Sequence, residues 1–208
     1  MVNLTNINKS KKAFHNTENG LLFLGIFQDK KLNPHQRALD DSLSNRLSTA
    51  MSLDGFTGKK DEQIHIFGNE VNKRVVLIGL GKQNNYTSDR ARSVGSNITR
   101  YSSSIKNSEF SVDGESFGLK KNLFAQAFAE GLVLGSYEFN DYKTKKDDLV
   151  QASSITMYGN IDSKYLDKGA VVGKSVGFAR DLGNHPANIL TPTYLAEAAQ
   201  NISESSTK

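Results

Sequence analysis

The chain has 208 residues, a formal net charge of +4 and 37% hydrophobic content, which suits one domain of ordinary size with an appendage and supplies enough apolar side chains for a core. No stretch approaches the roughly 18 uninterrupted apolar residues of a membrane helix, since the run from Gly20 to Phe27 is only strand length. Cysteine is absent, which excludes disulfides and thiolate metal sites, and Met1 opens on polar residues with no secretory pattern, which predicts a cytoplasmic location.

Short apolar runs alternate with helical patterns along the chain. Val2, Leu4 and Ile7 predict a weak first strand, and the unbroken apolar run Leu21 to Phe27 predicts a second strand buried on both faces. Asn33-Pro34 opens a helix, with Gln36 placed to complete a capping-box pair, and Leu39, Leu43 and Leu47 give that one helix an apolar stripe. Gly55 and Gly58 end the unit. Ile64, Ile66 and Phe67 predict a third strand, joined through the turn Gly68-Asn69-Glu70 to a fourth, Arg74 to Ile78, which Gly79-Leu80-Gly81 should break.

Thr87 caps a helix running to about Ile105, in which Ala91, Val94, Ile98 and Tyr101 recur at helical steps. Phe110 and Val112 predict a fifth strand. Leu119 to Tyr137 predicts the longest helix, with Leu123, Phe124, Ala127, Phe128, Leu132 and Leu134 on a broad covered face. The charged segment Asp141 to Asp148 is the expected flexible loop. Ile155, Met157 and Tyr158 predict a sixth strand, and a connecting helix begins near Tyr165. Alternating strands and helices with one hairpin make this an α/β protein with a mixed, mainly parallel six-stranded sheet and helices on both faces. The basic clusters Lys9-Ser10-Lys11-Lys12 and Lys143-Thr144-Lys145-Lys146 are short and read as solvated turns.

The chain is organised around a joint near its end, Ala179-Arg180-Asp181-Leu182-Gly183-Asn184-His185-Pro186-Ala187-Asn188-Ile189-Leu190-Thr191-Pro192. Gly183 and Asn184 tolerate the left-handed conformation in which helices commonly end, and Pro186 forbids resumption. Thr191 with Pro192 is a start signal for a further helix. Tyr194, Leu195, Ala198, Ala199 and Ile202 then recur at helical spacing with no partner in the chain. This predicts that residues 185 to 208 are either disordered or helical and docked on a neighbouring molecule.

The run Ala-Arg-Asp-Leu-x-Asn-x-Pro-Ala-Asn-x-x-Thr-Pro-x-x-Leu-Ala, residues 179 to 196, resembles the domain junction of the cytosolic leucyl aminopeptidases of the M17 family. Two further segments agree in order, residues 74 to 82 and residues 128 to 139 with Tyr142-Lys143 behind them. The resemblance implies a macro-domain-like, three-layer amino-terminal domain over residues 1 to 160, a connecting helix over 161 to 184, and the start of a catalytic peptidase domain over 185 to 208. It also implies a parent enzyme that removes N-terminal amino acids from peptides with two divalent cations, Zn²⁺ or Mn²⁺, and assembles as a hexamer. The family's metal-binding segment Asn-Thr-Asp-Ala-Glu-Gly-Arg has no counterpart here, so no residue of this chain receives a catalytic, cofactor-binding or metal-binding role.

The remaining motifs read as structural. Gly173-Lys174-Ser175-Val176-Gly177 matches a nucleophile elbow, but it lies inside one continuous helix where Ser175 has no reason to be activated. Gly169 to Ser175 falls one residue short of a phosphate loop. Gly79-Leu80-Gly81 follows a buried strand as a dinucleotide-binding turn would, yet Asn84 stands where the third glycine belongs. His15, His35, His65 and His185 have no second histidine three or four residues away; His65 reads as a solvent-facing strand residue and His185 as a junction residue. The adjacent acids Asp40-Asp41 and Asp61-Glu62 read as solvated surface.

Two functional readings follow. The first is the amino-terminal, non-catalytic domain of a metal-dependent leucyl aminopeptidase, structural in role, with the parent's own catalytic domain and the homo-oligomer as partners, peptide as the parent's substrate, and no membrane. The second is a free-standing macro-like module for a nucleotide or nucleic acid, since macro domains bind ADP-ribose and some members of the family bind DNA. Against the second, no acidic residue is visible just after a buried strand, where adenine recognition would need one.

Overall fold

A computed structural model describes residues 6–16, 19–144 and 152–206. In chain order the strands are β1 (Asn6–Ser10), β2 (Asn19–Phe27), β3 (Gln63–Phe67), β4 (Asn72–Gly81), β5 (Glu109–Asp113) and β6 (Ser154–Tyr158). The helices are α1 (Pro34–Ser42), α2 (Arg46–Leu53), α3 (Ser88–Ser104), α4 (Asn122–Gly135), α5 (Ser163–Asn184) and α6 (Pro192–Ser206). The strands form one sheet in the order β1-β6-β5-β2-β4-β3, and every neighbouring pair is parallel except the β3–β4 hairpin. The expected mixed α/β sheet is therefore present.

Helices cover both faces because β2 from Leu21 and β4 from Val75 carry no polar side chain and alternate their side chains between two cores. Leu21, Phe23, Val76 and Ile78 face the layer of α3, α4 and α5, where Val94, Ile98, Phe128, Leu132 and Leu166 meet them. Leu22, Leu24, Val75 and Leu77 face the other layer, where Leu39, Leu43 and Leu47 complete the core. The Asn33–Gln36 capping box forms as expected, with Gln36 N–H donating to Asn33 Oδ1 at 2.9 Å and Asn33 N–H donating to Gln36 Oε1 at 3.0 Å. Gln36 also donates through Nε2 to the Gly25 carbonyl, which ties the start of α1 to β2.

Several boundaries depart from the sequence-based expectations, each for a tertiary reason. The Leu39–Leu47 stripe spans two helices, because Ser44 and Asn45 adopt left-handed backbone between α1 and α2. Asp40 organises this break: its buried carboxylate accepts from the Leu47 N–H at 2.8 Å and from the Ser48 N–H. Asp40 is thus a buried cap and not solvated surface. Its neighbours in the other acidic pair are engaged too, Asp61 with Arg90 and Glu62 with the N–H groups of Thr57 and Lys59. β4 runs on through Gly79 and Leu80 to Gly81, whose φ of +77° is the conformation that ends it.

Helix α4 starts only at Asn122, because residues 114–121 form bonded turns, among them Leu119 N–H to the Gly114 carbonyl at 3.1 Å. Leu123 points to solvent and Leu134 is half-buried, while Gly131, Val133 and Gly135 take the covered face. The longest helix is instead α5, with 22 residues. It does not end in a left-handed turn at Gly183 and Asn184; it stays helical to Asn184, and His185 is extended at φ −68°, ψ 136°. The residue before a proline is pushed out of the helical region, so Pro186 sets that end. Thr191 Oγ1 accepts from the Tyr194 N–H, and α6 begins at Pro192 as expected. Residues 192–206 are helical. Val2, Leu4 and residues 145–148 of the charged loop lie outside the described residues.

Arg46, at the start of α2, reaches the sheet's antiparallel edge, where its Nη1 donates to the carbonyls of Phe67 at 3.0 Å and Gly68 at 2.7 Å.

Candidate functional site

The five parallel strands deliver their carboxyl ends to one side of the sheet, and the chain leaves two neighbours, β2 and β5, in opposite directions. From β2 it turns through α1 and α2 on one face toward β3; from β5 it turns through α4 on the other face toward β6. Such a reversal opens a crevice, because no connection crosses the strand ends there. The pairing records the opening. β2 and β5 are in register only at Leu22–Ser111 and Phe23–Val112, while β2 continues along β4 as far as Phe27. Past that point Ser116 bridges the gap, its Oγ accepting from the Gly25 N–H at 2.9 Å and donating to the Asp113 carbonyl at 2.7 Å.

A cleft of about 420 Å³ lies beside this bridge, at the carboxyl ends of β1, β5 and β6. Phe14 and Tyr158 form its aromatic wall with ring centroids 6.4 Å apart, Lys11 and Lys12 stand at its exposed rim, and His35 enters from the first turn of α1. Its floor is Asp113, the last residue of β5, only 3% exposed. Burial pushes the Asp113 carboxyl up to about 6, against the pull of hydrogen bonds from Ser116. Oδ2 of this carboxylate has no hydrogen-bond partner among the described residues. Glu115 is treated differently: burial would raise it, but the Asn160 N–H at 3.0 Å and the Lys120 ammonium at 3.0 Å hold its carboxyl below the ordinary value.

Asp113 corrects the expectation that no acidic residue stands just after a buried strand. An Asp-Gly pair following a short apolar strand reads as a turn that would end the strand at Val112, whereas β5 runs to Asp113. Nothing in the alternation Phe110-Ser111-Val112 announces that Ser111 is buried and that β5 is covered on both sides.

The other motifs fall where helices and strand ends place them. Ser175 sits within α5 and its Oγ donates to the Val171 carbonyl at 3.0 Å, the ordinary back-bond of a helical serine. Gly169 to Ser175 is helical throughout. His65 is exposed on β3 and stacks on Tyr101 at 4.9 Å. His15 and His35, remote in sequence, stack at 6.0 Å. His185 does act as a junction residue: its Nδ1 shares a hydrogen bond of 2.7 Å with the Tyr142 hydroxyl, and its ring meets those of Phe139 and Tyr194. Among the described residues no three His, Cys, Asp or Glu side chains converge to hold a metal ion, and no helix is long and apolar enough to cross a membrane.

A three-layer α/β domain with a long helix leading off its sheet defines the class of protein. Residues 23–146 match the cytosol aminopeptidase family, N-terminal domain, and the chain belongs to that family. A probable cytosol aminopeptidase of Persephonella marina is 30% identical over 185 residues, which cover 84% of this chain and 37% of that protein. A mutant of tomato leucine aminopeptidase superposes with a TM-score of 0.80 at 26% identity, covering 99% of this chain and 43% of that one. A bottromycin maturation enzyme solved in complex with Mn shares the fold at 18% identity and a TM-score of 0.67, over 89% of this chain and 36% of its own. The chain thus spans about two fifths of the length of the curated relatives it matches.

Proposed function

We propose that this chain works as the non-catalytic amino-terminal domain of a metal-dependent leucyl aminopeptidase, a cytoplasmic enzyme that releases N-terminal amino acids from peptides. Residues 1–160 are its α/β domain, 161–184 its connecting helix, and 185–208 the beginning of its catalytic domain. The observation that carries this reading is an uncovered apolar strip along the end of α5 and α6. Phe178, Tyr194, Leu195 and Ile202 are each 38–50% exposed there, on segments that otherwise obey helical patterning. A catalytic domain fitted to the strip would bury it, and the subunits of a hexamer would add further contacts.

The two divalent cations of such an enzyme do not fit the residues described here, since no group of three potential ligands converges. Zn²⁺ or Mn²⁺ is accordingly assigned to the catalytic domain, and no chemical step is placed in this chain. Calorimetric titration of the 208-residue chain with Zn²⁺ and Mn²⁺, beside a leucine-anilide hydrolysis assay, tests the reading. We expect neither turnover nor a micromolar two-site isotherm. Both together, with turnover abolished by a chelator, overturn it.

The nucleic-acid form of the alternative reading has less support, because Lys11 and Lys12 line a concave cleft and not an extended basic face.

A further inference from the structure

The chain contains two Asp-Gly pairs, Asp54-Gly55 and Asp113-Gly114, and the fold holds them in opposite ways. Aspartate before glycine is open to an intramolecular reaction, because glycine has no side chain to shield its backbone nitrogen from the preceding carboxyl. The nitrogen attacks Cγ and a C–N bond forms. The carboxyl C–OH bond breaks, and its hydroxyl leaves with the nitrogen's proton as water. The five-membered succinimide then takes up water at either carbonyl. Opening at Cγ restores aspartate, whereas opening at the main-chain carbonyl carbon gives isoaspartate, in which the chain runs on through the former side chain. No oxidant, cofactor or metal is consumed, and the final mass is unchanged.

Ring closure swings the glycine nitrogen toward the carboxyl by rotation about the aspartate Cα–C bond, so the packing and hydrogen bonds of that peptide group govern the rate. Asp54 caps the end of α2 at φ −86°, ψ 0°, and Gly55 follows at φ +61°; both are exposed. The last bonds of the helix run from the Asp54 N–H to the Ala50 carbonyl and from the Phe56 N–H to the Met51 carbonyl, each at 2.9 Å. The Gly55 N–H between them has no partner among the described residues. A Cβ placed on Gly55 would meet no atom within 4 Å, so the swing displaces only solvent.

Asp113-Gly114 is fixed. The Gly114 N–H donates to the Tyr158 carbonyl at 2.9 Å, and the Asp113 carbonyl accepts from the Ser116 N–H at 3.1 Å and from Ser116 Oγ at 2.7 Å. A Cβ on Gly114 would run into Ile161 Cδ1 and Met157 Sδ. Carboxyl chemistry alone would favour this pair. Burial raises the Asp113 carboxyl to about 6, so at neutral pH it is protonated roughly a hundred times more often than an ordinary aspartate, and a protonated carboxyl releases water more readily. A buried strand end, however, opens only with much of the fold, in roughly one molecule in a thousand or fewer. Closure by the fold therefore outweighs the raised carboxyl by about tenfold or more.

We propose that Asp54 is a site of isoaspartate formation in the folded protein, and hence a substrate for methyltransferases that esterify isoaspartyl carboxylates, while the fold protects Asp113. The modification lengthens the main chain by one carbon between α2 and the buried Phe56. It does not depend on the aminopeptidase reading.

The test is prolonged incubation of the 208-residue chain at neutral pH, folded or in urea, followed by tryptic digestion and isoaspartate detection with a carboxyl methyltransferase. Residues 47–59 and 107–120 form two tryptic peptides with one Asp-Gly pair each, and a mass gain sets apart isoaspartate that arises by loss of ammonia from Asn107. In the folded chain, isoaspartate should accumulate in 47–59 at least about tenfold faster than in 107–120; in urea the two rates should converge. Asp54→Glu, which cannot close the five-membered ring, should abolish the signal in 47–59, and a thermal melt checks that this variant is folded. The proposal is overturned if the folded chain shows equal rates in the two peptides, if 47–59 stays unmodified when folded but not in urea, if the difference persists in urea, or if folded Asp54→Glu retains the signal.

Discussion

Helix α5 meets two different surroundings along its length. From Leu166 to Gly177 its buried positions recur at helical steps, and three of the four are glycine: Leu166, Gly169, Gly173 and Gly177. From Phe178 onward no residue of α5 or α6 whose burial is described is buried. The first half is held by backbone lying close on backbone. A Cβ at Gly169 would stand 2.1 Å from the Gln126 carbonyl oxygen, and one at Gly173 would stand 2.7 Å from Val133 Cβ, so α4 and α5 leave no room for even a methyl group. The second half presents large apolar side chains that stay 38–50% exposed, Phe178, Tyr194, Leu195 and Ile202. One helix is thus a fixed wall of the domain at its start and an unoccupied surface at its end. The contrast teaches that glycine at helical spacing can mark the tighter contact and that apolar side chains can mark the vacant one.

The sharpest way to break the comparison is Gly169→Val. Its side chain must displace a backbone carbonyl of α4, and we expect a loss of about 3 kcal/mol in urea unfolding; a loss near zero would show that the two helices separate freely. Next in size is a control away from α5. Asp113 binds its proton more tightly in the folded state, with the carboxyl raised from 3.8 to about 6. Its contribution is therefore full below about pH 4 and is lost as the pH rises through 6, a change of roughly 2 to 3 kcal/mol. Asp113→Asn should remove that slope and leave the protein more stable than the wild type at pH 7, as chemical denaturation across pH 4 to 7 would reveal. An unchanged slope would mean that the carboxylate is solvated.

Smaller effects sharpen the contrast. Thr191→Ala removes the hydroxyl that accepts from the Tyr194 N–H. About 1 kcal/mol of local helix stability is expected to be lost, visible as faster amide exchange in α6 with no shift in the global transition. Phe178→Ser and Ile202→Ser should change the stability of the 208-residue chain by less than about 0.5 kcal/mol. A larger loss in dilute solution would show that the strip is already covered.

Much of this fold was legible in the sequence because its signals are local. The unbroken apolar runs of β2 and β4, the Asn33–Gln36 box, the Thr87 cap and the Thr191-Pro192 start each act within a few residues. The misplaced boundaries depend on distant partners. Asp40 divides α1 from α2 by accepting from Leu47 and Ser48, and nothing in the spacing of Leu39, Leu43 and Leu47 announces it. The face of α4 was misread at Leu123 because Gly131 and Gly135, invisible to a search for apolar side chains, take the contact with α3. The cleft was the least legible part. Lys11, His35, Asp113 and Tyr158 come from four segments that only the strand order β1-β6-β5-β2 gathers, and a lone aspartate before glycine looks like any turn.

Arg46 gives the open edge of the sheet a further property. A border strand such as β3 offers its free carbonyls and N–H groups as a template on which a second molecule could lay a strand of its own. The guanidinium occupies the Phe67 and Gly68 carbonyls at the end of that template. One side chain thereby closes off two acceptors that a further strand would need at that end of the border.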